Sequence, residues 1–475
     1  MDANYIAILP ELILSAVGIL VMVLIPSAGR EGQARLGYIA LAGIAAAFVA
    51  SAALWDNQGT ALFGMVFQDH FGHFSRLLLL FASGMIMAVS LPYLRREGIL
   101  MGEFFCLLLF ATVGMTFMVT SADLVMTFLG LETLSIATYV LAGFRNKDLR
   151  SVESAWKYFI LGAFSTAFML YGIAFIYGTC GSTQYQAIAE VVSQGGLPIT
   201  FSVGLGLLLV GFGFKVAMAP FHVWAPDVYQ GAPLPVTSHL AVGSKAAAFV
   251  AMLRIFQQVF PGLEGDWNFV FWTGAALTMA IGNIAALSQS NIKRMLAYSS
   301  VAHAGYLLVG MAAGNPLGAQ GILFYLAAYA FMTIGALAVV QALSRPGEAG
   351  IDLDDYKGIG FRFPFLSVSL SVFLVSLAGI PATAGFMGKF FILSAAAQQQ
   401  LYWLVVIAVL TSAIGLYYYL RIIILMFMHE AEKELPPPVV HASLRAVIGL
   451  LILGTLIFGL YPAPLLELAS QAVQF

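Results

Sequence analysis

Charge is what this chain has least of. Only 9% of its 475 residues are Asp, Glu, Lys or Arg, while 61% are hydrophobic and the mean hydropathy is +0.92. Soluble domains carry about 25% charged residues, so a separate soluble domain is excluded. Cysteine is nearly absent. Cys106 lies inside an apolar run, where it reads as a small hydrophobe, and with Cys180 it makes no metal-ligand spacing. No Cys-x-x-Cys-His occurs, and the second pair of histidines that a membrane haem site uses is missing. No flavin, iron–sulfur or quinone motif is visible either, so no cofactor and no metal is expected. No basic stripe points to nucleic acid, and a net charge of −2 says little about partners. The opening Met1-Asp2-Ala3-Asn4 lacks the basic region of a signal peptide. The first apolar run is therefore expected to stay as a span.

What fills the chain is apolar length. A membrane helix needs ~20 mostly apolar residues. The runs predict an all-α polytopic membrane protein with about fourteen spans, near 4–26, 35–55, 74–94, 100–119, 121–144, 153–178, 199–221, 235–258, 267–288, 291–313, 317–343, 363–395, 400–428 and 442–466. The weakest separation is Thr120-Ser121-Ala122-Asp123, and 183–195 is too mixed to span and reads as an interfacial or loop helix.

Basic residues orient the spans. With alternating spans and an outer N-terminus, Arg30, Arg35, Arg95, Arg96, Arg145, Lys147, Arg150, Lys293, Arg294, Arg345, Lys357, Arg362, Lys433 and Arg445 share the inner face. Arg76 and Arg254 fall at the outer face, and Lys157, Lys215, Lys245, Lys389 and Arg421 fall within spans. A split of 14 to 2 is a strong positive-inside signal and places both termini outside. The two long polar inner connections, Arg345 to Arg362 and Glu430 to Pro438, read as solvated loops.

Several residues stand where hydrocarbon is expected. A charge at the bilayer centre costs ~2.5–3.5 kcal/mol or more and marks ion pathways. Glu132 is mid-span, and Lys245 lies ten residues into its span, about 15 Å of helix, beyond the reach of snorkelling. Lys215 shortly precedes Pro220, and Lys389 shortly follows Pro381. Lys157, four residues past Glu153, is placed to snorkel inward. His303 lies mid-span and His239 six residues before Lys245; either is a possible relay, or a histidine satisfied by a hydroxyl. The plain alternative is structural ion pairing, but Glu132 neutralises only one lysine. Burial favours a neutral amine and a nearby carboxylate favours the ammonium, so a moving partner switches a lysine between holding and releasing a proton.

Two spans are expected to be broken, near Pro220 and near Pro381. Interrupted spans in corresponding halves point to an inverted-repeat transport site. The seventh and twelfth spans are five apart, which suits two inverted five-helix repeats. The chain is read as one membrane domain, 1–475, with N-terminal helices to 99, repeats at 100–260 and 265–430, and a last helix within 440–475.

These residues also carry a resemblance. Phe212-Gly213-Phe214-Lys215, Ala219-Pro220-Phe221-His222 through Asp227-Val228-Tyr229-Gln230-Gly231-Ala232-Pro233, Asn291-Ile292-Lys293-Arg294, Leu377-Ala378-Gly379-Ile380-Pro381 through Lys389, and Gly415 through Arg421 closely resemble the subunit N family of bacterial respiratory complex I, the proton-pumping NADH:quinone oxidoreductase. The similarity runs along essentially the whole chain. It implies fourteen transmembrane helices, two inverted repeats, and an antiporter-like fold in the bacterial inner membrane. It further implies that Glu132 pairs with and controls Lys215, that Lys245 is the central relay, and that Lys389 ends the second half-channel. Lys157 and Lys293 match family lysines of less certain role. The implied partners are other membrane subunits of the complex, the antiporter-like subunit M and small subunit K, besides lipid, water and protons. A lysine at 389 and the Asp227–Pro233 run argue against sister subunits M and L. The rival that stays open is a stand-alone sodium/proton antiporter; a structural scaffold is a remoter one.

Overall fold

The computed structural model describes residues 4–260, 262–431, 438 and 440–474. Met1–Ala3, Lys433 and most of the connection expected at Glu430 to Pro438 lie outside the described residues. The helices are α1 Leu9–Leu24, α2 Gly29–Ala53, α3 His70–Arg96, α4 Gly102–Thr120, α5 Leu124–Ala142, α6 Leu149–Cys180, α7 Tyr185–Gln194, α8 Ile199–Val216, α9 Trp224–Gly231, α10 Leu234–Ser238, α11 Lys245–Arg254, α12 Glu264–Leu287, α13 Ile292–Ala313, α14 Pro316–Leu343, α15 Pro364–Ala378, α16 Ala384–Gln398, α17 Tyr402–Met428, α18 Ala442–Leu460 and α19 Ala463–Ala472. Among the described residues, 13 helical segments are long and apolar enough to cross a membrane. The broken pair α15–α16 supplies the remaining span expected from the sequence. The chain is therefore a multi-pass membrane protein.

Short polar caps set the turns. The side chains of Asp69, Asp123, Asp148, Asn291 and Asn315 accept backbone N–H groups at the starts of α3, α5, α6, α13 and α14. Asp123 thereby divides α4 from α5, the weakest separation in the sequence. The mixed stretch at 183–195 forms α7, and the last span stops at Leu460, short of 466, because Tyr461-Pro462 interrupts it before α19. Small residues let helices meet closely: a Cβ on Gly114 would lie 2.5 Å from the Gly130 carbonyl oxygen.

The segments Leu234–Val259, Ile292–Ala313 and Pro316–Leu343 are almost wholly enclosed, whereas α1, α2, α6, α12, α17 and α18 present apolar outer faces. Two of these three enclosed segments carry Lys245 and His303.

Among the described residues, α-helical geometry is interrupted after α8, after α15, at His239–Ser244 and again at Ile255–Val259. After α8, Ala217 takes a left-handed φ of 59°, and the freed groups are satisfied locally: Met218 N donates to Gly213 O at 2.8 Å and Ala219 N to Thr278 Oγ1 at 2.9 Å. After α15, Gly379 turns at φ 83° and Gly385 N donates to Ser376 Oγ at 3.1 Å. The third was not anticipated: His239–Ser244 is a π-helical stretch running directly into Lys245. The wider turn re-phases the side chains that follow, as π-bulges commonly do at functional sites. Pro233, Pro235 and Gly243 mark it in the sequence, though they do not specify a π turn.

One expectation is corrected. The 345–362 connection is not a freely solvated loop: Ile292 N donates to Ile351 O at 2.9 Å, Leu353 N to Ser290 O at 2.7 Å, and Glu348, Leu353 and Tyr356 are buried. Apolar Leu353 and Tyr356 pull it onto the helix ends. Arg76 and Arg254, the two exceptions to the basic-residue split, are buried and paired. Arg76 lies 3.0 Å from Glu11, and Arg254 donates to both oxygens of Asp69 at 2.6 and 2.8 Å while stacking on Phe67 and Phe71. Carboxylates neutralise both guanidiniums.

Asp69→Ala strands the buried Arg254 and removes the α3 cap. A loss of ~3–5 kcal/mol is expected, read as a lower Tm of the solubilised protein; an unchanged Tm would contradict this pairing.

Candidate functional site

Four lysines are buried in the helix bundle; Lys293 is paired with Glu348, while the other three, Lys215, Lys245 and Lys389, have no carboxylate oxygen within ion-pair distance among the described residues. Each of these three ammonium groups is instead held by neutral oxygens and aromatic faces. Lys215, the penultimate residue of α8, donates to the Tyr158 hydroxyl on α6 at 3.3 Å and lies over the rings of Tyr158 and Tyr139, 5.3 and 5.7 Å from their centroids. Trp224, which opens α9 just past the first break, stacks on Tyr158 at 4.7 Å and donates its indole N–H to Phe214 O at 2.9 Å. The break therefore packs an aromatic wall around the lysine.

Lys245 is 1% exposed and donates to the Ser300 carbonyl at 2.6 Å and to the Ser300 hydroxyl. Ser300 begins a polar stripe on α13. Ser299, Ser300, His303 and Tyr306 recur at helical spacing on an otherwise apolar helix. Tyr419 of α17 bridges the first two rungs, its hydroxyl bonded to Ser299 Oγ and lying 3.1 Å from His303 Nε2. His303 Nδ1 meets the Tyr325 hydroxyl at 2.5 Å. Tyr306 accepts from Asn283 Nδ2 at 3.3 Å, and Asn283 Oδ1 accepts from Tyr418 at 3.1 Å.

Lys389 stands at the far end of this stripe. Its Nζ is 4.7 Å from the Tyr306 ring centroid and donates to Ala378 O at 2.9 Å, Leu377 O at 3.3 Å and Ser412 Oγ at 2.9 Å. The two carbonyls are among the last of α15, so the ammonium caps the negative end of a broken helix. A cavity of about 600 Å³ beside it, lined by Ile380, Pro381, Phe390 and Ser412, opens at the surface of the chain.

Hydroxyls and imidazole both donate and accept. A stripe of them between two ammonium groups has the hydrogen-bonding chemistry to pass a proton. Lys245, His303 and Lys389 are thereby brought together as one set.

Glu132 is placed differently. It makes no direct ion pair with Lys215, and its buried Oε1 has no hydrogen-bond partner. Tyr139, two turns further along α5, stands beside Lys215; its hydroxyl packs so close to Gly162 that a Cβ there would lie 2.1 Å away. Lys157 lies outside the buried set. It is 42% exposed and paired with Glu153 at 2.7 Å and Asp227 at 2.8 Å. Asp227 also binds Arg294 at 2.6 Å. Burial raises the Asp227 carboxyl, but hydrogen bonds and charge from Lys157 and Arg294 more than reverse this and hold it below the usual carboxylate range. His239 is buried, and neither ring nitrogen has a hydrogen-bond partner among the described residues. The tyrosines escaped the sequence reading although the Tyr417-Tyr418-Tyr419 run was in view, because only packing shows that Tyr418 and Tyr419 face inward and Tyr417 outward.

Buried ammonium groups on interrupted helices define an ion-pathway type of membrane protein, and comparison with known proteins gives its class. Residues 121–415 match the family described as NADH:quinone oxidoreductase/Mrp antiporter, TM. NADH-quinone oxidoreductase subunit N of Trichlorobacter lovleyi is 45% identical over 99% of this chain and 97% of its own, and subunit N 1 of Solibacter usitatus is 43% identical over 98% and 96%. A chain in the structure of respiratory complex I from Thermus thermophilus with bound aureothin superposes with a TM-score of 0.83 at 34% identity, covering 97% of this chain and all of that one. A chain of the Mrp complex from Dietzia sp. shares the fold alone, at a TM-score of 0.85 and 20% identity over 99% and 97%. The chain belongs to the NADH-quinone oxidoreductase subunit N family.

Lys389→Met uncaps α15 and leaves buried carbonyls unpaired. A cost of ~1–3 kcal/mol is expected, measured as a lower Tm; a Tm equal to that of the native chain would show that the ammonium does not hold the break.

Proposed function

We propose that this chain is a proton-translocating membrane subunit of a NADH:quinone oxidoreductase, with Lys245 as its central proton site. The supporting observation is the set of three enclosed lysines without carboxylate counterions, two of which are joined by the Ser299–Ser300–His303–Tyr306 stripe. A lysine held only by neutral oxygens loses little on releasing its proton, whereas one locked to a carboxylate loses a great deal.

In this reading protons enter from the inner side to Lys245 and pass along α13 toward Lys389. Glu132 tunes Lys215 through Tyr139 rather than by contact. The chain has no redox group of its own in this scheme; quinone reduction elsewhere in the complex supplies the energy through neighbouring membrane subunits, with M and K in contact. The setting is the bacterial inner membrane, with both termini outside. The breaks after α8 and α15 are the corresponding elements of two inverted repeats.

Lys245→Ala is expected to lower NADH-driven proton transport in vesicles by at least ~tenfold, and Lys245→Arg as much, because a guanidinium keeps the charge without releasing its proton. Full transport by either assembled variant would sink the reading. Transport by the purified chain alone, without NADH, would favour a stand-alone antiporter. Gly162→Ala displaces Tyr139 from beside Lys215, and about a twofold or larger loss of protons moved per NADH is expected. A native ratio would remove Glu132 from the scheme.

A further inference from the structure

Apart from the lysine row, an enclosed ionic cluster centres on Glu348, in the short turn Pro346–Glu348 of the 345–362 connection. Its Oε1 accepts from the Tyr93 hydroxyl at 2.5 Å and from Leu234 N at 2.8 Å. Its Oε2 lies 2.6 Å from Lys293 Nζ and 3.4 Å from Arg145. Lys293, fully enclosed, also donates to Ala232 O at 2.6 Å. The pair therefore grips the backbone on both sides of Pro233.

That linker has a position of consequence. On one side it joins α9, whose Trp224 packs the wall of Lys215. On the other it opens α10 and the π-helical stretch that ends at Lys245. Lys293 itself lies near the start of α13, seven residues before Ser300, about 10 Å of helix. Between the clamp and Lys245 lies a small enclosed cavity lined by Tyr229, Thr237, Ser299, Tyr329 and Thr333. The Tyr229 hydroxyl and Thr333 Oγ1 are buried there beside Ser300 and Tyr329 without a hydrogen bond of regular geometry. Buried polar groups left poorly satisfied have a cost, and here they lie at the foot of the Lys245 site. The backbone of the clamp is also unusual: Glu348 has a φ of 53°, a left-handed conformation that a non-glycine side chain rarely adopts. Its four side-chain contacts hold it there.

We propose that the Glu348–Lys293 pair is the gate of the Lys245 site on the arginine-rich side, closed in this structure and opened when the pair separates and frees the Ala232–Leu234 linker. Glu348 is a positioning residue in this scheme; it touches the linker and not the relay. The proposal rests on Lys245 being a proton site, but its geometry is testable without transport.

The test uses the assembled complex, with Cys106 and Cys180 replaced by serine and Thr237→Cys as a reporter in the cavity wall. A charged methanethiosulfonate is applied to inside-out and right-side-out vesicles. With Glu348 intact, Thr237→Cys is expected to resist modification from both faces. Glu348→Gln keeps an acceptor for Tyr93 and Leu234 but turns an uncharged amide toward Lys293. It is expected to speed modification at least about tenfold from the arginine-rich face alone. If Glu348→Gln does not assemble, Lys293→Met breaks the same pair and the same acceleration is expected. Modification that is already fast with the pair intact, that is unchanged by breaking it, or that rises equally from both faces overturns the gate. Because labelling is read at rest, failure of proton transport in Lys245 variants to change would remove the functional reading and leave the labelling result standing.

Discussion

An ammonium ion deprived of water is the constraint on which this structure turns. Moving such a charge into an apolar interior is costly, and the usual remedy is a carboxylate partner. Lys215, Lys245 and Lys389 have none. Their partners are a phenol, a serine with its carbonyl, and the last carbonyls of a helix. Such neutral oxygens stabilise the charged form enough to keep it folded, without fixing it. Where the chain needs a charge to stay put it does pair it, as with Arg254 and Asp69 or Lys293 and Glu348.

The broken helices follow from the same constraint. Non-helical backbone inside a membrane protein survives only when its freed groups find partners. After α15 the freed carbonyls find Lys389; after α8 the freed N–H groups find Gly213 and Thr278, and the turn delivers Trp224 to the wall of Lys215. The π-helical stretch before Lys245 is the third variation. Each lysine thus sits beside an irregularity in the backbone; the π-helical stretch is enclosed by protein, whereas Pro220 and Pro381 in the two breaks reach the surface of the chain.

Much of this was legible in the sequence because hydropathy and charge act locally. The spans, the breaks at Pro220 and Pro381, and the burial of Lys245 follow from runs and spacing alone. The fate of Glu132 was not legible, since whether two side chains meet depends on helix rotation, and Tyr139 rather than Glu132 stands beside Lys215. Lys157 sits in its predicted span, yet a partner from distant α9, Asp227, holds it at the edge. The polar stripe at 299, 300, 303 and 306 had a readable period, but its contacts with Tyr325 and Tyr419 depend on tertiary packing. Glu348 lies in a connection that reads as a solvated loop, and only the folded turn places it among Tyr93, Arg145 and Lys293.

Infrared difference spectroscopy of the assembled complex, carrying lysine labelled with nitrogen-15 and observed during NADH turnover, would test the central claim most directly. The account predicts isotope-sensitive bands for loss and regain of a lysine proton, absent when Lys245 is replaced. Sustained proton transport with no lysine-dependent band would contradict it.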